Sequence, residues 1–236
     1  MISVSVVVPT FNEKEIIESQ IRKILDVTPN LLEVIVVDDD SPDETWKIVE
    51  ELGKKDNRVR LIRRTNERGL ASAIYDGVSA SSGEIVLWLD CDHESPKSLI
   101  IKILSSIEGG EADVCTASRY VAGGKELRGL TQRVASKMVN IFASLVLSTS
   151  IKDYTAGFVA TKRNVFDEIG WEKRGYGEYC IEFLYKALKR GFVVKEVPLT
   201  CVERSEGSSK TSMSISNLLK LGFDYGIKIL NLKFGS

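Results

Sequence analysis

The chain has 236 residues, of which 43% are hydrophobic and 28% are charged, and its formal net charge is −1 at pH 7. This length and composition suit one globular domain with a full core, or one domain with a tail. The balanced charge excludes a general attraction to nucleic acid, so any basic site must be local. No apolar run of roughly 18 residues or more occurs, so no membrane-spanning segment is predicted in this chain.

The cysteines and the amino terminus indicate a cytoplasmic protein. The four cysteines lie far apart, without Cys-x-x-Cys spacing, at Cys91, Cys115, Cys180 and Cys201. Three of them sit inside or beside apolar runs, which predicts buried thiols in a reducing compartment. Met1 leads directly into a strand pattern, so no signal peptide is predicted.

Short apolar runs alternate with helical patterns through the first half of the chain. Strands are predicted at residues 3–8, 33–37, 59–62, 85–89 and 113–118. A helix is predicted between each pair, the second of them with Ser41 as N-cap and Pro42 at its first position. This alternation predicts an α/β fold with a mostly parallel, Rossmann-like sheet flanked by helices. No Gly-rich dinucleotide or P-loop motif follows the first strand.

The second half is less regular and ends in an amphipathic helix. Helices are predicted at 131–147 and 179–188, a strand at 193–197 and a polar loop at 203–212. We expect a domain over residues 1–212 and a C-terminal helix within 213–236. That helix either docks on the domain, lies on a membrane surface through Lys220, Lys228 and Lys233, or begins an anchor that continues beyond this chain.

Three carboxylates follow the fourth strand at every second position: Asp90, Asp92 and Glu94. Ligands of open α/β sheets bind at the carboxyl ends of strands, and hard carboxylate oxygens suit Mg²⁺ or Mn²⁺. The alternative is a solvated acidic turn before a helix capped by Ser95. His93 is interpreted as a neighbour of this cluster rather than as a catalytic base.

Several ordered motifs resemble glycosyltransferase family 2, which has the GT-A fold: Pro9–Glu13, Val36–Asp43, Arg68–Leu70 and Asp90–Asp92. Four more narrow the resemblance to the dolichyl-phosphate mannose synthase and polyprenyl-phosphate hexose synthase branch: Ala117–Tyr120, Asp153–Phe158, Glu196–Pro198 and Arg204–Lys210. The resemblance covers about residues 3–212. Each motif is short, and their order makes the combination specific.

The resemblance implies a metal-dependent, inverting transfer of one hexose from a nucleotide sugar to a polyprenyl (dolichyl) phosphate. The form of the motif at Asp38–Asp43 favours mannose from GDP-mannose, with glucose from UDP-glucose as the alternative. The implied partners are the nucleotide sugar, the lipid phosphate and a membrane surface, and a separate anchoring subunit stays open. The expected location is peripheral, at the cytoplasmic face of a membrane.

The resemblance also implies roles for individual residues. The metal ligands fall on Asp90, Asp92 and Glu94, although the family has Gln at the last position. Nucleotide contacts carry over to Pro9, Thr10, Phe11, Glu13, Val37, Asp39 and Asp90. Acceptor-phosphate contacts carry over to Arg119, Ser136 and Arg204, with Arg133 and Lys210 as further cations. Asp153 is either a turn residue or a contact of the donor sugar. Asp90, Asp92, Arg119 and Arg204 are the predicted catalytic residues.

The predicted chemistry needs no general base, because a phosphate acceptor is already largely ionised at pH 7. This agrees with a chain that has a single histidine. Arginine suits bidentate phosphate contacts, and a metal ion would neutralise the leaving diphosphate. Three other hypotheses stay open: a family 2 transferase with a polysaccharide or protein acceptor, a binding subunit without activity, and a nucleotidyltransferase.

Overall fold

The first strand, β1, is buried along its whole length from Val4 to Thr10. The structure is a computed structural model that describes residues 2–91, 97–202 and 215–235, with side chains of the last segment from Lys220 onward. Alternate residues of β1 enter opposite cores: Val6 and Val8 pack on one side and Val7 on the other. A strand buried on both faces belongs in the middle of a sheet covered by two helical layers.

In chain order the described elements are β1 (Val4–Thr10), α1 (Ile17–Val27), β2 (Leu31–Asp38), α2 (Thr45–Lys55), β3 (Val59–Arg63), α3 (Leu70–Ala80), β4 (Ile85–Trp88), α4 (Lys97–Glu108), β5 (Val114–Ser118), β6 (Lys125–Glu126), α5 (Leu130–Val146), β7 (Val159–Lys162), α6 (Arg163–Ile169), α7 (Glu178–Lys189), β8 (Val194–Pro198), β9 (Thr200–Cys201) and α8 (Ile215–Phe234). The predicted mostly parallel sheet flanked by helices is therefore confirmed. The short elements β6, β7, α6 and β9 are additions that the sequence pattern did not predict.

The main sheet has the strand order β3-β2-β1-β4-β7-β5-β8. Only β7 runs antiparallel to its neighbours, β4 and β5, among the strands that the structure describes. The strand order reverses at β1, because the chain proceeds outward to β2 and β3 and then returns to β4 on the other side. Crevices at such switch points are the usual ligand sites of open α/β sheets.

Two helical layers cover the sheet. Helices α1, α2 and α4 pack on one face, and α3, α6, α7 and parts of α5 and α8 pack on the other. The contact between α3 and β1 is very close, because a Cβ built at Gly77 would lie 2.4 Å from Val7 Cγ1. A larger residue at position 77 would therefore push α3 away from the sheet.

One predicted helix start is wrong. Helix α2 begins at Thr45, and Glu44 precedes it in a left-handed conformation. Ser41 and Pro42 therefore lie before the helix and are not its N-cap and first residue. Ser41 instead bonds Asp38 and receives the backbone N–H of Asn12. Ser95, the predicted N-cap of the helix after β4, lies outside the described residues. All four cysteines are described, buried and without a disulfide.

The C-terminal helix α8 docks on the domain along one side. Tyr225 and Ile229 are buried, and Lys228 pairs with Glu182 of α7 at 2.6 Å and with Glu172 at 2.9 Å. Lys228 therefore does not serve as a surface cation, in contrast to the sequence-based expectation. No helix in the described part of the chain is long and apolar enough to cross a membrane.

Candidate active site

Most of the predicted site residues that the structure describes lie at one edge of the main sheet. The carboxyl ends of β1, β2, β4 and β5 lie there because these strands are parallel. The antiparallel direction of β7 brings its first residue, Val159, beside Trp88 at the end of β4. The segment Asp153–Phe158 therefore enters the sheet at the same edge as Asp90. Reversal of one short strand adds a fifth chain segment to the switch-point crevice.

A buried carboxylate ties the loops after β1 and β2 together. Asp38 is fully buried and accepts hydrogen bonds from Thr10 Oγ1 at 2.8 Å and from both the backbone N–H and the hydroxyl of Ser41. Pro9 and Val37, two predicted nucleotide contacts, pair with each other on β1 and β2 and directly precede Thr10 and Asp38. Thr10 and Asp38 thus shape the crevice, and their side chains hold the two loops in place.

The next residue, Asp39, orders a longer loop. Its carboxylate accepts hydrogen bonds from Arg64 Nε at 2.7 Å and from the Gly69 backbone N–H at 2.8 Å. Arg64 also donates to Ser72 and to Asp76. Asp39 is 7% exposed. Its carboxylate, which the sequence predicts to contact the nucleotide, is bonded to Arg64 in this structure. A nucleotide would meet the rim that Asp39 and the loop before α3 form together.

Aromatic and cationic groups stand at the same rim. The Arg68 guanidinium lies 5.1 Å from the centre of the Phe11 ring, and the Arg63 guanidinium lies 3.6 Å from the Trp46 ring. Guanidinium groups over ring faces are favourable cation–π contacts. Glu13 is buried, and its backbone N–H donates to Thr45 Oγ1 at 2.9 Å. The predicted nucleotide residues Phe11 and Glu13 therefore belong to one packed rim.

The candidate metal site centres on Asp90, directly after β4. Gly157 lies against it with φ +70°, and a Cβ at Gly157 would be 3.3 Å from Asp90 Oδ2. Glycine therefore keeps the approach to this carboxylate open, and a carboxylate oxygen suits a hard divalent cation. The predicted ligands Asp92 and Glu94 lie outside the described residues. The described part of the chain contains no cluster of three metal-ligating side chains, so the ligand set stays a prediction.

Arg119 lies in a buried ionic network at the end of β5. Its guanidinium donates two hydrogen bonds to Asp153, from Nε and Nη2, both at 2.8 Å. It also donates to Glu126 at 3.0 Å and to Thr155 at 2.8 Å. The side chains of Arg119, Glu126 and Asp153 are almost fully enclosed, with 6%, 3% and 0% exposure. Binding an acceptor phosphate would require Arg119 to exchange these bonds. The geometry favours a positioning role for Arg119 and for Asp153.

The pKa values in this network follow from burial and neighbouring charge. Burial has the largest single effect on Glu126 and raises its pKa, but hydrogen bonds and charge from Arg128 and Arg119 together lower the pKa below its ordinary value. Burial is also the largest single effect on Arg119 and lowers its pKa, but the charge and hydrogen bond of Asp153 and the charge of Glu126 together raise the pKa above its ordinary value. Arg119 and Glu126 therefore carry opposite charges at neutral pH.

Helix α5 joins this network from the side. Asn140 is 2% exposed; its amide oxygen accepts the Tyr154 N–H at 2.6 Å, and its amide nitrogen donates to Thr155 Oγ1 at 2.9 Å. Ser136, one turn earlier, accepts a hydrogen bond from the Tyr120 hydroxyl at 2.9 Å. The predicted acceptor residue Ser136 therefore lies next to the motif that contains Arg119. Predicted Arg133 lies one turn earlier still and is exposed.

Two predicted acceptor cations are not placed by the structure. Arg204 and Lys210 both lie outside the described residues, between β9 and α8. Their roles therefore stay predictions.

Sequence reasoning missed three residues that hold the site together: Glu126, Asn140 and Glu196. Glu196 accepts the backbone N–H groups of Lys152 and Asp153 at 2.9 Å each. Glu196 belongs to the Glu-Val-Pro motif of the family resemblance, but that motif predicts no role for its side chain. No sequence signal identifies Glu126 or Asn140, since Glu126 reaches Arg119 through β6, and Asn140 reaches Tyr154 and Thr155 through α5. A buried acid or amide needs a hydrogen-bond partner, and only the fold supplies its identity.

Comparison with known proteins identifies the family. Residues 5–170 match the family described as Glycosyl transferase family 2. The chain belongs to this family. It is 37% identical over 211 residues to a dolichol-phosphate mannosyltransferase of Pyrococcus furiosus, covering 88% of this chain and 58% of that protein. The chain thus spans little more than half the length of that relative.

A further relative and a solved structure match over nearly the whole chain. A polyprenol monophosphomannose synthase of Mycolicibacterium smegmatis is 33% identical over 233 residues, which is 94% of this chain and 86% of that one. A crystal structure of glucosyl-3-phosphoglycerate synthase from Mycobacterium tuberculosis, with Mn²⁺, UDP and phosphoglyceric acid, superposes with a TM-score of 0.74. It covers 99% of this chain and 79% of that one at 19% identity. That likeness establishes the shared GT-A fold.

Proposed function

We propose that this chain transfers a mannosyl residue from GDP-mannose to a polyprenyl phosphate, with inversion and with Mg²⁺ or Mn²⁺, at the cytoplasmic face of a membrane. The relatives named for mannose transfer to lipid phosphates support the substrate class. The arrangement of α5 carries the proposal from the structural side, because this helix links the polar site to an apolar surface.

One side of α5 belongs to the site. Ser136 and Asn140 are bonded to Tyr120, Tyr154 and Thr155. Another side is apolar and exposed, with Leu130 at 76% and Leu145 at 74% exposure. The helix contains no acidic residue and carries the exposed cations Arg133 and Lys137. A single helix thus offers hydrogen-bond donors to a phosphate and an apolar face to the chain attached to it.

The neighbouring helix α8 extends this apolar surface. The side opposite its docked face carries exposed apolar residues at helical spacing: Phe223, Ile227, Leu230 and Phe234. Lys220 and Lys233 flank this stripe and are exposed. Exposed apolar patches rimmed by cations are typical of helices that lie in a membrane interface. We call the exposed apolar residues of α5 and α8 the lipid face.

The proposed reaction assigns each side of the crevice to one substrate. Asp39, Phe11 and the loop before α3 receive the nucleotide, and Asp90, Asp92 and Glu94 would hold the metal ion. When bound, that ion would supply positive charge to offset the charge that develops on the leaving diphosphate. Ser136, with Arg133, Arg204 and Lys210 as the cations predicted from the sequence, receives the acceptor phosphate. Since that phosphate is already ionised, these residues orient it and no group needs to remove a proton.

A vesicle assay tests the link between the site and the lipid face. The protein is given labelled GDP-mannose with Mg²⁺ or Mn²⁺, and with either polyprenyl phosphate in anionic vesicles or a short water-soluble prenyl phosphate. Leu145→Ser combined with Phe223→Ser is expected to reduce vesicle binding and transfer to the vesicle acceptor, while transfer to the soluble acceptor persists. Leu32→Ser is the matched control, because Leu32 is 45% exposed on β2, away from the lipid face.

The outcomes separate the parts of the proposal. Equal vesicle binding by the wild type and the double variant would contradict the lipid face. Transfer from UDP-glucose without any transfer from GDP-mannose would contradict the donor assignment.

A further inference from the structure

Two buried polar groups below Asp90 lack a hydrogen bond of good geometry within the described residues: Trp88 Nε1 and Tyr179 Oη. Trp88 is 0% and Tyr179 is 1% exposed, so neither is hydrated from the surface. Most buried polar groups in proteins have a partner, and an unpartnered one is strongly unfavourable. The pair therefore needs an explanation within the site.

The position of Gly157 places Tyr179 close to Asp90. A Cβ built at Gly157 would lie 3.8 Å from Tyr179 Oη and 3.3 Å from Asp90 Oδ2. Both oxygens therefore face the same small space, which stays open only because residue 157 has no side chain. The φ of +70° at Gly157 also favours glycine.

The chemistry of the three groups gives the hydrogen bonds a direction. An indole N–H only donates, a phenol both donates and accepts, and an ionised carboxylate only accepts. An order in which Trp88 donates to the Tyr179 oxygen and the Tyr179 O–H donates to Asp90 would therefore satisfy all three groups. The carboxylate has capacity for several hydrogen bonds, so this one is compatible with other partners of Asp90.

Burial keeps the Tyr179 hydroxyl protonated. Burial is the largest effect and raises the pKa of Tyr179 well above its ordinary value, and the nearby Asp90 carboxylate raises the pKa further. The phenol therefore carries its proton at neutral pH and is able to donate a hydrogen bond.

A rigid aromatic cluster holds both donors in place. The Trp171 ring lies 5.3 Å from Trp88 and 5.4 Å from Tyr179, measured between ring centres, and Phe183 lies 5.3 Å from Trp88. Tilted and edge-on ring packing of this kind restricts both side chains. Restricted donors orient a metal-binding carboxylate more effectively than mobile ones.

We propose that Tyr179 is a positioning residue: its hydroxyl donates to Asp90 and, supported by Trp88, holds the carboxylate in the orientation that binds the metal ion. This inference deepens the proposed function and rests on it. Groups that orient a metal ligand from behind commonly change metal affinity by about 10- to 100-fold.

The test compares Tyr179→Phe with the wild type by calorimetry, using Mn²⁺ titrated in the presence of GDP and, separately, of UDP. We expect Mn²⁺ affinity to fall by about 10- to 100-fold, with GDP affinity in the absence of metal unchanged. Tyr75→Phe is the matched control, because Tyr75 packs on the same Trp171 ring and lies outside the site. The melting temperature of Tyr179→Phe should stay close to that of Tyr75→Phe.

Unchanged Mn²⁺ affinity in Tyr179→Phe would overturn the inference, as would a fall that Tyr75→Phe reproduces. Trp88→Phe provides a second variant if Tyr179→Phe does not fold, and weakened Mn²⁺ binding there supports the same arrangement. Failure of the wild type to bind Mn²⁺ with either nucleotide would overturn the proposed function itself and this inference with it.

Discussion

Replacing Arg119 by Met should destabilise the protein strongly, because two enclosed carboxylates would lose their counter-charge. Asp153 and Glu126 are 0% and 3% exposed, and Arg119 bonds both. Removing one partner of a buried ion pair costs about 3–5 kcal/mol. For a chain of this size, each kcal/mol lowers the melting temperature by about 2–4 °C, so the expected drop is about 6–20 °C.

Calorimetric or urea unfolding of Arg119→Met measures this effect, and Arg133→Met is the control. Arg133 is exposed on α5, and its replacement should change stability by less than about 0.5 kcal/mol. Arg119→Lys should not restore stability, since lysine cannot reproduce the bidentate contact with Asp153. A melting temperature of Arg119→Met within about 2 °C of the wild type would refute the positioning role.

The pH dependence of the same variant gives a second test. The lowered pKa of Glu126 means that its ionised form stabilises the folded wild type. That contribution is present above the ordinary pKa of 4.5 and is lost as the pH falls through the lower folded value. Arg119→Met loses one source of this shift, so the stability gap between the two proteins should narrow on acidification. A gap that widens at low pH would contradict the assignment.

Three further predictions follow from the described contacts. Asp39→Asn should weaken GDP binding roughly tenfold in calorimetry, because the charged bond that orders the loop before α3 is lost; an unchanged affinity would exclude Asp39 from the nucleotide site. Ile229→Ala should cost about 2–5 kcal/mol of unfolding free energy, whereas the exposed Ile227→Ala should cost under about 0.5 kcal/mol. Burial raises the pKa of Glu182, but Lys186 and Lys228 together lower the pKa below 4.5. The stability of the wild type should therefore decline as the pH falls below about 4.5, and the stability of Glu182→Gln should decline less. Parallel curves of stability against pH for the two proteins would contradict this ion pair.

The repeating part of the fold was predictable from the sequence because its signals are local. Buried strands at Val4–Thr10 and Leu31–Asp38 appear as apolar runs, and the helices between them show apolar spacing near 3.6. The short strand Val159–Lys162 was not predicted, since four residues carry little periodicity. Its antiparallel direction depends on pairing with β4 and β5, which no local pattern encodes.

The candidate site was predictable only where its residues follow strand ends. Asp39 and Asp90 were found in this way, since the carboxyl ends of parallel strands meet at one edge. The role of Arg119 was not predictable in this way, because β6 and the segment that enters β7 bring its partners Glu126 and Asp153 close to it. The sequence predicts only that Tyr179 begins a helix, and only the fold brings its hydroxyl near Asp90.

The most direct test of the account is transfer itself. The protein is incubated with polyprenyl phosphate in vesicles, labelled GDP-mannose and Mg²⁺ or Mn²⁺, and the lipid product is analysed by mass spectrometry and NMR. The account predicts a metal-dependent polyprenyl-phosphate mannose with β configuration, inverted from the α configuration of the donor. An α-linked product, or no lipid-linked mannose with either metal, would contradict it.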